Sequence, residues 1–277
     1  MKITAAEVNK LRKQTGAGMM DCKKALQEAE GDFDAAVDIL RKKGQKVAAK
    51  RSDRDAAEGL VLAQTTPDGK KGVMVVVNCE TDFVAKNEDF GKFANKILEA
   101  AISSAPADLE GLKQLPFDGN GMTIGEKIIE QTGVIGEKID LSGYEQVSAE
   151  TVYAYNHPGN KLAAMVGLNK TGDLEEVAKD VAMQVAAMNP VALDKDQVPQ
   201  EAIDREIEVG KDLAIQEGKP EELAEKIAMG RLNKFFQEST LLNQQYVKDS
   251  KKSIAQYLKE FDSGLTVTDF KRMALGE

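Results

Sequence analysis

The chain has 277 residues, enough for two domains at about 150 residues each, and 42% hydrophobic with 30% charged residues excludes a disordered, collagen-like or disulfide-scaffold chain. With 37 Lys and Arg against 46 Asp and Glu, the net charge of −9 disfavours a generic binder of nucleic acid or anionic lipid. The absence of Trp, with only 5 Tyr and 9 Phe, calls for an aliphatic, Ala-rich core suited to helix packing.

The N-terminus MKITAAEVNK lacks the apolar core of a signal peptide, so a soluble, cytoplasmic protein is expected. Residues 1–44 read as three short helices. Thr4 and Glu7 have capping-box spacing, Ile3 and Val8 that of a hydrophobic staple, and Val8 and Leu11 form the buried side of the first helix. Met19, Cys22, Leu26 and Ala29 recur at helical intervals before Gly31. Asp32 then caps a third helix carrying Phe33, Val37 and Leu40, which Gly44 closes. Such a unit, with a glycine-bearing turn at 15–18, resembles the ubiquitin-associated type of helical module.

Between Arg41 and Arg54 stand seven basic residues and one acidic one, read as a solvated linker or helix end. After Gly59 the periodicity becomes strand-like. Residues 60–64, the turn Thr66-Pro67-Asp68-Gly69 and residues 73–78 predict a β-hairpin. Phe90, Phe93, Ala94, Ile97 and Ala101 predict an amphipathic helix over it, and Thr123 and Glu126 cap another carrying Ile128 and Ile129.

A second hairpin is predicted from Thr151 to Tyr155 and Leu162 to Leu168, followed by an Ala-rich helix from Leu174 to Met188 that ends at Asn189-Pro190. Hairpin, helix and proline thus occur twice, the first proline being Pro106, which reads as an internal duplication. Residues 200–235 interrupt the second copy. Ile203, Ile207, Gly210 and Ala214 step along one helix, Gly218-Lys219-Pro220 turns the chain, and Leu223 and Ile227 start a returning helix. Residues 265–275 predict a closing strand.

Motifs for chemistry are scarce. There is no GxxxxGK[ST] loop, and the glycines at 16 and 18 do not complete a GxGxxG. Gly133 and Gly136 have GxxG spacing, too short to specify a nucleic-acid clamp. His157 is the only histidine, so a triad, a Cys-His pair or a multi-His metal site would rest on that one residue. Cys22 and Cys79 form no CxxC, which excludes a zinc ribbon and fits buried thiols in a reducing compartment. No catalytic residue, metal or cofactor is expected, and the chain is expected not to be an enzyme.

The run Asn78-Cys79-Glu80-Thr81-Asp82-Phe83-Val84 sets a carboxylate beside a large aromatic at a strand edge. In one reading Phe83 tucks into the core while Thr81 or Asp82 caps the next helix. In the other, Asp82 and Phe83 protrude as an interface anchor.

That run, together with residues 15–26 (TGAGMMDCKKAL), resembles the bacterial elongation factor Ts family, the guanine-nucleotide exchange factors of elongation factor Tu. The similarity extends more thinly through Ile135-Gly136-Glu137, the turn at Tyr155-Asn156-His157, and residues 218–231. The resemblance implies an α+β fold: an N-terminal three-helix ubiquitin-associated-like domain at 1–44, a linker at 45–58, a core N-subdomain at 59–148, and a C-subdomain at 149–277 carrying the helical hairpin.

It also implies a partner, elongation factor Tu in its GDP-bound and nucleotide-free states, with no direct nucleic acid or membrane contact. Thr81, Asp82, Phe83 and Val84 would enter its G domain and disturb the magnesium site so that GDP leaves. Met19, Met20 and Lys23 would touch the same domain, Ile135 and Gly136 would add contacts, and His157 would face another domain. Longer relatives continue into a C-terminal helical module; here the chain stops at Glu277, and that contact is expected to be absent. Thr268-Asp269-Phe270 lacks the flanking NCxTDFV context and is read as chance. The competing readings are an adaptor using the helical module and an RNA-binding protein using residues 41–54.

Overall fold

The computed structural model describes residues 3–118 and 121–277. Three helices come first: α1 (Ala5–Thr15), α2 (Met19–Glu28) and α3 (Phe33–Lys50). The expected capping box holds α1, with Thr4 N donating to Glu7 Oε2 at 2.7 Å and Glu7 N donating to Thr4 Oγ1 at 3.3 Å. Val8, Leu11, Cys22, Ala25, Leu26 and Ala36 close a small core, onto which Phe33, Val37 and Leu40 pack.

The third helix does not stop at Gly44. It runs on to Lys50, so the first residues read as linker are its last turns. Gly44 lies at a close helix crossing that Gly133 makes possible: a Cβ built on Gly133 would lie 2.3 Å from the Gly44 Cα, whereas one on Gly44 would meet the Gly133 Cα at an ordinary 3.6 Å. A glycine that costs a helix about 1 kcal/mol is retained at 133 because a side chain at that position would hold the backbones apart.

The hairpin strands β1 (Glu58–Thr65) and β2 (Lys71–Cys79) follow, then the short α4 (Asp82–Ala85), α5 (Glu88–Ser104), α6 (Leu109–Gln114), α7 (Ile124–Ile135) and β3 (Asp140–Ser148). The order in this sheet is β1-β2-β3. Next come β4 (Thr151–Asn156), β5 (Leu162–Leu168) and α8 (Glu175–Met188), the antiparallel pair running in register from Thr151 opposite Leu168 to Asn156 opposite Ala163. Helices α9 (Gln200–Gln216) and α10 (Glu221–Ser239) form the expected hairpin, and a Cβ on Gly210 would stand 3.1 Å from the Ala228 Cα. Strands β6 (Gln245–Tyr246) and β7 (Asp249–Ser253), helix α11 (Ile254–Phe261) and β8 (Val267–Ala274) complete the chain, with β8 beside β5.

The duplication is visible in the order of parts. Each copy has a two-strand hairpin, a long helix, a helix opened by a capping box, and a third strand beside the second. The boxes are Thr123/Glu126 on α7 and Ser253/Gln256 on α11. Both long helices end in a left-handed residue, Ala105 at φ 44° and Asn189 at φ 42°, directly before Pro106 and Pro190. The fold is thus α+β with a helical N-terminal region and small antiparallel sheets.

Two compact units result: residues 3–62 with 75–145 and 274–277, and residues 63–74 with 146–273. In the second, α8 packs Val177, Val181 and Val185 onto Ala164, Val166 and Leu168 of β5, with Ile254 and Leu258 of α11 closing the same core.

Candidate partner-docking site

Buried strand β2 delivers Asn78 and Cys79 to its end, and the chain then turns outward through Glu80 and Thr81 into the four residues of α4. Thr81 is the N-cap, its Oγ1 accepting from Val84 N at 3.4 Å. Thr81 caps the helix, as the first reading expects, but Phe83 is not core: it is 83% exposed, and Asp82 beside it is half-buried. Left to burial alone such a ring would turn inward, so other bonds must hold the turn.

Those bonds come from both sides. Glu80 receives Arg51 Nη1 on its two oxygens, at 2.7 and 2.9 Å, and Lys138 N on Oε1 at 2.6 Å. Thr81 N and Oγ1 donate to the two oxygens of Glu137, at 3.0 and 2.7 Å. Lys138 Nζ reaches the carbonyls of Ser52 and Arg54 at 2.9 and 3.0 Å, just past the end of α3. Behind the turn, Cys79 Sγ donates to Thr81 O at 3.2 Å.

The electrostatics follow from these contacts. The Lys138 amide, helped by the Arg51 guanidinium, holds the Glu80 carboxyl below the usual range against its burial. Burial, reinforced by the Glu137 charge, pushes the Cys79 thiol up to about 11, so at neutral pH it is a donor and not a nucleophile. On the open side Asp82 Oδ2 meets Lys86 Nζ at 2.6 Å, a bond that raises the lysine's pKa.

The expected residues fall into three groups. Val84 and Ile135 line one groove of about 540 Å³ together with Thr15 and Gly16. Gly136 ends α7 at φ 81°, a left-handed cap suited to glycine, and aims Glu137 back at Thr81. Met19 and Met20 lie on the first turn of α2, 53% and 62% exposed, and Lys23 is exposed on the same helix. His157 belongs to the second unit, exposed in the β4–β5 turn, its Nδ1 3.0 Å from the Tyr155 hydroxyl. Asn156 beside it accepts from Ala63 N and donates to Ala63 O, both at 2.8 Å, which braces that turn.

Arg51 and Lys138 escaped the sequence reading, and a pair 29 residues apart, Arg51 to Glu80, leaves no periodic signal that would reveal it. Among the described residues there is no group of three or more His, Cys, Asp or Glu able to hold a metal ion, and no helix long and apolar enough to cross a membrane.

An exposed phenyl ring on a turn held by hydrogen bonds is the geometry a protein-docking element needs, as in proteins that act by engaging a protein partner. A family model described as Elongation factor TS matches residues 80–277. The chain is 56% identical over 276 residues to Elongation factor Ts of Christiangramia forsetii, covering 99% of both chains. It is 52% identical over 278 residues to that of Amoebophilus asiaticus, covering 100% of both, and 53% identical over 275 residues to that of Cytophaga hutchinsonii, covering 99% of both. The chain belongs to the elongation factor Ts family, the nucleotide exchange factors of elongation factor Tu.

Proposed function

We propose that this chain releases GDP from elongation factor Tu by inserting Phe83 and Asp82 beside the partner's magnesium and phosphate site, with Thr81 and Val84 completing the inserted segment. The observation that supports this most directly is Phe83, a large apolar side chain 83% exposed on a turn whose preceding residues are tied by hydrogen bonds. Its ring supplies docking affinity; the carboxylate of Asp82, oriented by Lys86, disturbs the ordering of the magnesium ion. Met19, Met20 and Lys23 of α2, together with Ile135 and Gly136, form further contacts, and His157 meets a separate part of the partner.

The physics is linkage. A factor that binds the nucleotide-free partner more tightly than the GDP-bound one lowers nucleotide affinity by the same ratio, without making or breaking a covalent bond. The chain would act in the cytoplasm, on both states of the partner, with no cofactor of its own and no contact with nucleic acid or membrane.

Phe83→Ala tests this. Release of labelled GDP from elongation factor Tu should slow at least about tenfold, equivalent to 1.4 kcal/mol of lost stabilisation. The melting temperature should hardly move, because truncating an exposed side chain changes stability by about 0.5 kcal/mol or less. Asp82→Ala should slow release more than it weakens binding. A folded Phe83→Ala variant with undiminished exchange would overturn the reading.

A further inference from the structure

We propose that Glu137 is a positioning residue for exchange, fixing the presentation of Phe83 without itself touching the partner's nucleotide site. Helix α4 spans only Asp82–Ala85 and buries none of its residues. Four residues cannot sustain a helix through their own hydrogen bonds, and with Asp82, Val84 and Ala85 only half-buried and Phe83 exposed, packing holds them weakly. The geometry of the turn must therefore be imposed at its ends.

At the leading end the imposing group is Glu137. One carboxylate takes both donors of Thr81, the amide at 3.0 Å and the hydroxyl at 2.7 Å, which fixes the residue in two directions at once. With its proton directed at Glu137, the Thr81 oxygen turns a lone pair to Val84 N and starts α4. Glu137 is itself immobilised: Gly136 turns the chain out of α7 at φ 81°, and the next residue, Lys138, bonds Glu80 through its amide and the carbonyls of Ser52 and Arg54 through its ammonium. Residues 136–138 thus form a clamp against residues 80–81. Pre-organisation of this kind removes an ordering cost from binding, so its loss is felt as weaker docking.

This inference rests on the reading of Phe83 as the docking side chain, and a double-mutant cycle separates the two. Exchange is measured for the full-length protein, for Glu137→Ala, for Phe83→Ala and for the pair. The expected result is that Glu137→Ala slows exchange about tenfold when Phe83 is present and less than about twofold when it is absent, since residues acting through one element are not additive. The loss should appear as a rise in the factor concentration giving half-maximal exchange. Hydrogen exchange provides a readout independent of activity, with amides 81–86 accelerated and those of α5 and α7 unchanged.

Equal losses in both backgrounds, or accelerated hydrogen exchange spread through α5 and α7, would show a merely structural role and overturn the proposal. So would an unchanged rate in Glu137→Ala. If instead Phe83→Ala alone leaves exchange intact, it is the docking reading that fails. Should Glu137→Ala not fold, Glu137→Gln keeps the volume and one acceptor oxygen, and the same pattern is expected at about threefold; no change in that variant would equally refute the role.

Discussion

The two copies of the hairpin-and-helix pattern spend their polar groups in opposite ways. In the first, α5 buries only apolar residues, Phe90, Phe93, Ala94, Ile97, Leu98 and Ala101, and the joint before it carries the exposed Phe83. In the second, α8 buries Asp180 and Gln184 among its aliphatic residues. Asp180 accepts from the hydroxyls of Tyr246 and Tyr257 and from Lys248, while Gln184 donates to Gln244 Oε1 and Gln245 O and accepts from Val247 N.

Burial works against the Asp180 charge, yet these three donors hold its carboxyl below the usual range. Burial pushes Tyr246 up to about 12, and Tyr257 up as well. One scaffold can thus fasten a peripheral element by burying a satisfied polar network, or display an apolar group by fixing its backbone with polar bonds. The lesson is that the repeated pattern sets the frame, and the joints decide what it does.

The contrast is broken most strongly at Asp180. Asp180→Ala leaves two buried tyrosine hydroxyls without their acceptor and should cost about 3 kcal/mol, read as a lower midpoint in urea unfolding. Phe83→Ala should cost almost nothing by the same measure. If the two variants unfold alike, the contrast between burying and displaying is wrong.

A second difference concerns the capped helices before each third strand. Helix α11 packs on β6 and β7, whereas α7 is crossed by α3 at Gly44 and Gly133. Gly133→Ala forces backbone atoms apart and should cost about 1–3 kcal/mol, releasing the N-terminal helices. Limited proteolysis reads this out. The native chain should be cut first in the exposed stretch after Arg51, and the variant also within 45–50. Initial cutting within 45–50 of the native protein would instead favour the flexible linker beginning after Gly44.

Smaller effects sharpen the comparison. The folded Glu80 carboxyl lies below its unfolded value of about 4.3, so its bonds stabilise fully above that pH. That stability is lost as pH falls through the folded pKa. Glu80→Gln should therefore flatten the acid limb of the stability profile around the turn at residues 80–81, and an unchanged limb would deny Glu80 its role. Smallest is the pair of left-handed helix ends. Ala105→Gly should gain about 0.5 kcal/mol in thermal unfolding because alanine is strained at φ 44°, while Asn189→Gly should be neutral because asparagine tolerates that region.

Much of this was legible in the chain. Capping boxes, turn residues and the 3.6-residue period announced α1, α5, α7, α8 and the α9–α10 hairpin, since these signals are local. Helix α11 carried equal signals in Ser253, Gln256, Ile254, Tyr257 and Leu258, and went unread. Strand β3 was obscured because Gly143 and Glu145 fall in phase with buried Leu141 and Val147 and break the apolar alternation.

For residues 80–84 the division is sharper. The amino-acid sequence by itself determined the two hairpin-and-helix patterns, a helix cap at Thr81 or Asp82, and the resemblance that singles out Asp82 and Phe83, because each depends on residues a few positions apart. Only the tertiary structure decided that Phe83 points outward, that Gly44 sits inside a helix at a crossing opened by Gly133 instead of ending that helix, and that Arg51, Glu137 and Lys138 converge on residues 80–81. Those outcomes depend on groups 29 to 89 residues apart in the chain, and no periodicity encodes which distant carboxylate will find which amide.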